Sequence, residues 1–383
     1  MSDCYSLFKR GGAQNGIYYA QFRDSASAKR QTAISTHART RDEAVAFCLD
    51  YIKHGKHKLR SSVSFASFAD EFFDFEKSAY IKNEIKRGNR YSRRYADNNQ
   101  RYLDSLLMPY FKGHLLTEIR ARDVEAFFES IEGRYSSSTL SSIHNALNAI
   151  MKEAYRLEII DDNPLNRVYK RIVRPQPNGI LTETEAKALF SNLSIWSGNN
   201  FPYVLNALAM TTGMRQGEIL ALRPADILHD REDAYINLRF AMDRVYGLKE
   251  PKCGSSRIIP LSSRMKSLLN TFSDAEKLAG EDFIFHGDSK DKPIDYKATN
   301  RALYRALAKI GIDRVVRKER NITFHSWRHY FNTNMRGKIS DDKLRLLTGH
   351  RTKMMTEHYT FNDFERVQDV VAIQEAVFDK LVL

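Results

Sequence analysis

Five residues in the second half of the chain suit chemistry on a phosphodiester: Arg215, His325, Arg328, His350 and Tyr359. They stand in Thr212-Gly-Met-Arg-Gln-Gly-Glu-Ile-Leu220, His325-Ser-Trp-Arg-His329, Leu347-Thr-Gly-His350 and Glu357-His-Tyr-Thr360. Moving a phosphoryl group between oxygens requires a nucleophile, donors for the developing negative charge and a proton for the leaving oxygen. Metal-dependent nucleases meet these needs with clustered carboxylates and divalent ions. Here the inventory is arginines, histidines, a lysine and a tyrosine, which suits fixed positive groups. Arg215 and Arg328 fit a clamp on the non-bridging oxygens, because a guanidinium stays charged and presents a planar fork of donors. His325 and Arg328 lie three positions apart and share a face if the segment is helical. His329 extends that face, and the His-x-x-x-His spacing also suits zinc. No third ligand is placed near that pair, and the glutamate of the zinc-protease motif is absent, so neither metal nor cofactor is expected. A tyrosine phenol is mostly neutral at pH 7, with a pKa of about 10. Attack by one therefore needs proton removal or strongly positive surroundings. The chain has 19 tyrosines, so residue type alone does not choose among them.

A length of 383 residues predicts two or three domains to hold these groups. The formal net charge of +13 favours a polyanionic partner, since each cation placed on a phosphate releases condensed counterions. No apolar run approaches the roughly 18 residues that would span a bilayer. Met1-Ser-Asp-Cys-Tyr-Ser lacks the basic-then-apolar layout of a secretory signal, so a cytoplasmic location without membrane contact is expected. Cys4, Cys48 and Cys253 are odd in number and far apart, which predicts free thiols.

The expected fold class is α+β and multidomain. In residues 1–58, two alternating runs, Gly16-Ile-Tyr-Tyr-Ala-Gln-Phe-Arg23 and Arg30-Gln-Thr-Ala-Ile-Ser-Thr36, predict a small antiparallel sheet. A helix follows, with Thr40 and Glu43 as a capping box and Ala44, Phe47, Cys48, Tyr51 and Ile52 on one face. Residues 64–172 read as a helical bundle, with apolar stripes at Phe65–Phe73, Val124–Ile131 and Leu140–Ala154. Between the first two of those helices, Lys82-Asn-Glu-Ile-Lys-Arg-Gly-Asn-Arg-Tyr-Ser-Arg-Arg-Tyr95 reads as a basic connection. Its Lys82, Lys86, Arg87, Arg90, Arg93 and Arg94 suit phosphate contact. Ser136 is placed to cap the helix that follows it. Arg171 and Arg174 lead into Pro175-Gln-Pro-Asn-Gly179, a stiffened basic connector. Thr182 and Glu185 then form another capping box, opening a mostly helical domain over 180–383. Within it, Ala234-Tyr-Ile-Asn-Leu238 and Pro251-Lys-Cys-Gly-Ser-Ser-Arg-Ile-Ile-Pro260 predict a hairpin.

The order and spacing of the C-terminal motifs resemble the catalytic signature of the tyrosine recombinases, the phage-integrase family. The resemblance is most specific over residues 211–360. It implies a site-specific recombinase that cuts DNA through a 3′-phosphotyrosine and rejoins it without metal or nucleotide. Tyr359 would be the nucleophile, and Lys252 the general acid, with nearby Lys249 as its competitor. His325 would assist proton movement, His350 would meet a non-bridging oxygen, and Glu218 would support the site. The N-terminal sheet and helix look like an arm-type DNA-binding domain, with Arg23, Lys29, Arg30, Arg39 and Arg41 facing DNA. Residues 64–172 look like a helical core-binding domain of the SAM-like kind. The implied partners are double-stranded DNA, a homotetramer on synapsed sites and an accessory DNA-bending protein. The apolar stretch from Val367 to Val382 would dock onto a neighbouring protomer, and Tyr359 would act in cis or in trans. The extra N-terminal domain favours a phage or mobile-element integrase. Alternative readings are a Xer-like resolvase, a type IB topoisomerase, or a DNA-binding regulator on an inactive recombinase fold.

Overall fold

The structure, a computed structural model, describes residues 5–10, 16–23, 30, 32–53, 63–169, 179–230, 233–251, 256–276, 278–349 and 363–382. The chain divides into two compact units, Met1–Pro175 and Gln176–Leu383.

The first unit opens with strands β1 (Tyr5–Arg10), β2 (Ile17–Phe22) and β3 (Ile34–Ser35), antiparallel in that order. Helix α1 (Arg41–Lys53) follows. The period of two along β2 sends Ala20 and Phe22 inward, where they bury against Cys48, with Phe47, Tyr51 and Ile52 packed around them. The predicted box closes as well: the Thr40 N–H donates to Glu43 Oε2 at 3.3 Å, and the Glu43 N–H donates to Thr40 Oγ1 at 3.4 Å.

The helical part comprises α2 (Phe65–Ala69), α3 (Ala79–Lys86), α4 (Arg93–Tyr102), α5 (Met108–Phe111), α6 (Ala121–Ile131) and α7 (Ser137–Arg156). A π-helical turn, Leu103–Leu107, joins α4 to α5. Their shared core contains the three predicted stripes. The basic connection over 82–95 is itself mostly helix, contrary to the sequence reading. Its apolar residues are too few for a visible stripe, since only Ile81 in α3 and Ala96 and Asn99 in α4 are buried. Serine caps set these helices instead, with Ser78 accepting from the Ile81 N–H and Ser92 from the Tyr95 N–H.

The second unit begins with α8 (Glu183–Phe190), whose Thr182–Glu185 box forms as predicted. Then come α9 (Asn200–Thr212) and α10 (Gln216–Leu220). Every residue of α9 from Pro202 to Thr212 is buried, so this helix is the axis of the unit. Strands β4 (Ile227–Asp230), β5 (Asp233–Leu238), β6 (Ala241–Asp243), β7 (Gly247–Lys249) and β8 (Arg257–Leu261) follow. The predicted hairpin is corrected in its connection: β5 does pair with β8, in a β4-β5-β8 sheet, but a separate β6–β7 hairpin is inserted between them. Helices α11 (Ser263–Glu276), α12 (Tyr296–Lys309), α13 (Arg314–Glu319), α14 (Ser326–Met335), α15 (Asp341–Thr348) and α16 (Asp363–Phe378) complete the unit.

The C-terminal stretch predicted to dock onto a neighbour covers its own domain's core in the single chain. Val367, Val370, Phe378 and Leu381 are buried there. The Gln374 side chain donates to the Thr211 carbonyl at 3.1 Å, and the Ser262 hydroxyl donates to Asp379 at 2.5 Å. Among the described residues no helix is long and apolar enough to cross a membrane.

Gly213 ends α9 in the left-handed region at φ 65°, and a Cβ there would lie 2.5 Å from the Phe331 ring. Gly213→Ala is therefore predicted to destabilise this unit by about 2 kcal/mol or more. Both tryptophans, Trp196 and Trp327, belong to this unit. Urea unfolding followed by tryptophan fluorescence will show the loss as a lower midpoint.

Candidate active site

The site grows from the break between α9 and α10. Thr211 and Thr212 turn their hydroxyls back onto the carbonyls of Ala207 and Leu208 at 3.0 and 2.5 Å. Gly213 then reverses the chain, Met214 is buried, and Arg215 arrives as the N-cap residue of α10. Glu218, three residues on, accepts from the Arg215 backbone N–H at 2.9 Å and from its guanidinium at 2.8 Å. The same carboxylate receives Arg257, at the start of β8, through Nη1 at 3.2 Å and Nη2 at 2.7 Å. Glu218 is 1% exposed and Arg257 3%. Burial alone would push the Glu218 carboxyl upward. The charge and hydrogen bonds of Arg257, joined by Arg215, outweigh it and hold the group at about 2.

The second arginine comes from α14. Trp327 anchors that helix in the core, its indole N–H donating to Asn206 of α9 at 2.9 Å. Arg328, the next residue, is 2% exposed. It donates to the Gly213 carbonyl at 2.9 Å and also to the Thr348 carbonyl. The end of α15 collects all three guanidiniums. Arg257 Nε reaches the Leu347 carbonyl at 2.8 Å, Arg328 the Thr348 carbonyl, and Arg215 the Gly349 carbonyl at 3.5 Å. His350 is the next residue in sequence.

His325 is the exposed N-cap residue of α14 rather than a residue of its first turn. Its ring lies edge-on to His329, with 5.0 Å between centroids. Burial, and then the Arg328 charge, lower the His329 pKa. Lys249 is bound to Asp243 across the β6–β7 hairpin at 2.6 Å. The structure thus brings together Arg215, Glu218 and Arg328. Lys252, His350 and Tyr359 lie outside the described residues, as do Lys29, Arg171, Arg174, Cys4 and Cys253.

In the first unit, Lys82, Lys86, Arg87, Arg90 and Arg93 are exposed around the α3–α4 junction, and Arg94 is half-buried. Arg87 pairs with Glu84 at 3.1 Å and Arg93 with Glu76 at 2.6 Å; such exposed pairs are weak and exchange readily for a phosphate. Arg23 and Arg30 face each other across an antiparallel bridge, both exposed, and Arg39 and Arg41 are exposed too. The residues on the outer face of the sheet were not among those singled out from the sequence. There Phe8 opposes Tyr19 and Ser6 opposes Gln21, while Arg10 lies over both rings at 5.4 and 4.9 Å. The alternation in Tyr5–Arg10 and Ile17–Phe22 carries that signal, since it leaves these residues opposite the buried set. Arg257 was not singled out either, although Arg257, Ile259 and Leu261 alternate onto the buried side of β8.

Residues 180–366 match the family profile described as the phage integrase family. These residues form a domain of that family. Among curated relatives, the shufflon-specific DNA recombinase of Escherichia coli is 30% identical over 203 residues, which is 52% of this chain and 44% of that protein. The tyrosine recombinase XerD of Yersinia pestis is 22% identical over 260 residues, 65% of this chain and 80% of XerD. The match thus spans less than half of the shufflon recombinase. The lambda integrase tetramer bound to a Holliday junction shares the fold, with a TM-score of 0.59 and 17% identity over 92% of this chain and 98% of that one. The Tn1549 transposon integrase in complex with transposon right end DNA does so with a TM-score of 0.57 and 19% identity, over 76% and 98%. The α+β integrase architecture with its N-terminal three-stranded sheet agrees with the sequence expectation.

Because Glu218 sits at about 2 in the folded protein, against an ordinary value near 4.5, its contribution to stability is complete above pH 4.5. It is lost as pH falls from 4.5 through about 2. Denaturation monitored by tryptophan fluorescence is predicted to lose stability across that window. Glu218→Gln, which strands two guanidiniums, should cost roughly 3 to 5 kcal/mol at neutral pH and flatten the acid limb.

Proposed function

We propose that this protein is a site-specific DNA recombinase that cleaves and rejoins duplex DNA through a 3′-phosphotyrosine, serving the integration and excision of a mobile element. The observation that carries the reading is the convergence of Arg215 and Arg328 on the carbonyls of Gly349 and Thr348, directly before His350. Two guanidiniums fixed this way can share the non-bridging oxygens of one phosphate.

In this reaction the Tyr359 oxygen attacks phosphorus as its proton leaves, with His325 assisting. The bond from phosphorus to the 5′-oxygen breaks, and Lys252 protonates that oxygen. Arg215, Arg328 and His350 meet the charge on the phosphorane. The product is a 3′-phosphotyrosyl ester and a free 5′-hydroxyl. Attack by a 5′-hydroxyl from another strand reverses each step and releases Tyr359, so the bond energy is conserved without ATP. The Asp243 partner already held by Lys249 supports Lys252 as the acid.

Residues 1–58 would bind arm-type DNA through the outer sheet face, 64–172 would grip core DNA around the α3–α4 junction, and 180–383 would carry the chemistry. The assembly on DNA would be a tetramer, in keeping with the lambda integrase tetramer. Docking of the C-terminal segment in trans would then be a swap, with α16 leaving its own chain for the equivalent surface of the next protomer. An accessory DNA-bending protein belongs to the same reading.

Duplexes tiled across the DNA bordering the protein's own gene, nicked so that the cleaved strand escapes, test this directly. The wild-type protein should form a covalent adduct in EDTA, and two marked duplexes should exchange strands. Tyr359→Phe should bind the same duplex within about twofold yet form no adduct. An adduct that persists in Tyr359→Phe moves the nucleophile elsewhere, and relaxation without exchange favours a topoisomerase.

A further inference from the structure

Arg257 takes no part in the steps above, yet at 3% exposure it is buried nearly as deeply as Arg328. Its three donors reach two separate pieces of the site. Nη1 and Nη2 hold both oxygens of Glu218, and Nε holds the Leu347 carbonyl at the end of α15. Gly349 runs against the same guanidinium: a Cβ there would lie 3.0 Å from Nη1 and 3.3 Å from Cζ, and its φ is 63°. Pairing of Leu238 with Arg257 fixes the residue at the start of β8. Lys252 lies five positions earlier in the chain.

We propose that Arg257 is a positioning residue for phosphoryl transfer, meeting the Glu218 charge so that the Arg215 guanidinium can be shared with a phosphate, and pinning the end of α15 through the Leu347 carbonyl. This rests on the recombinase reading above and adds to it a residue that never touches DNA. Glu218 is a buried anion shared by two cations. With Arg257 in place, its charge is met whether or not Arg215 turns toward a phosphate. Without Arg257, Arg215 is the only counter-charge among these contacts, and a phosphate would have to compete with Glu218 for it. Lysine cannot substitute fully, because one ammonium does not span both carboxylate oxygens and a carbonyl in a single plane.

The test compares wild type, Arg257→Met and Arg257→Lys in single-turnover cleavage, at the scissile phosphate that wild type maps on the nicked duplexes. A second substrate carries a methylphosphonate there, which removes one charged non-bridging oxygen and with it much of the demand on Arg215. Arg257→Met should slow adduct formation about 100-fold on the phosphodiester and less than about 10-fold on the methylphosphonate. Duplex binding should change less than about threefold. Arg257→Lys should recover part of the rate, and it carries the test if Arg257→Met does not fold. Equal slowing on both substrates, or wild-type cleavage by either folded variant, overturns the proposal. Absence of any Tyr359-dependent wild-type adduct removes the recombinase reading itself, and this inference with it.

Discussion

One carboxylate organises the centre of the C-terminal unit. Glu218 has almost no contact with water, and an isolated carboxylate in that position would take up a proton. It stays ionised because its two oxygens receive four hydrogen bonds: one from the Arg215 backbone, one from the Arg215 side chain and two from Arg257. Those bonds tie the first turn of α10 to the first residue of β8. A neutral glutamine would keep the shape but abandon the charge that draws both guanidiniums inward.

The constraint propagates through backbone carbonyls. The last turn of a helix leaves C=O groups without intrahelical partners and carries partial negative charge. At α15 those groups are consumed by Arg257, Arg328 and Arg215 in sequence order Leu347, Thr348, Gly349. Gly213 and Gly349 play matching parts, each ending a helix in the left-handed region. Arg328 bridges the two turns by donating to the Gly213 and Thr348 carbonyls. The two Thr-Gly motifs, far apart in sequence, thus become neighbours around one guanidinium. For the proposed chemistry this means that cations are set in place by the fold before DNA arrives, so little reorganisation is left for the transition state.

Local signals were legible in the sequence wherever they rest on a few adjacent residues. The capping boxes at Thr40 and Thr182, the Ser136 cap and the apolar stripes of α6 and α7 form as their spacing predicts. The Thr-Gly-Met-Arg and His-Ser-Trp-Arg-His motifs pointed to residues that converge in space. The helices over 82–95 were not legible, because they bury too little apolar surface to leave a period. Nor was the inserted β6–β7 hairpin, since three-residue strands carry almost no pattern. Arg257 was hidden for another reason. A charged residue at the head of an apolar strand reads as surface until its partner, 39 positions away, is known.

The proposed chemistry turns on which atom would become bonded to DNA. Mass spectrometry of the protein trapped on a nicked duplex and digested with protease and nuclease identifies that atom. The account predicts a single nucleotide-bearing peptide containing Glu357-His-Tyr-Thr360, with the phosphate on the tyrosine oxygen. A phosphorylated serine, or a different tyrosine in that peptide map, would contradict it.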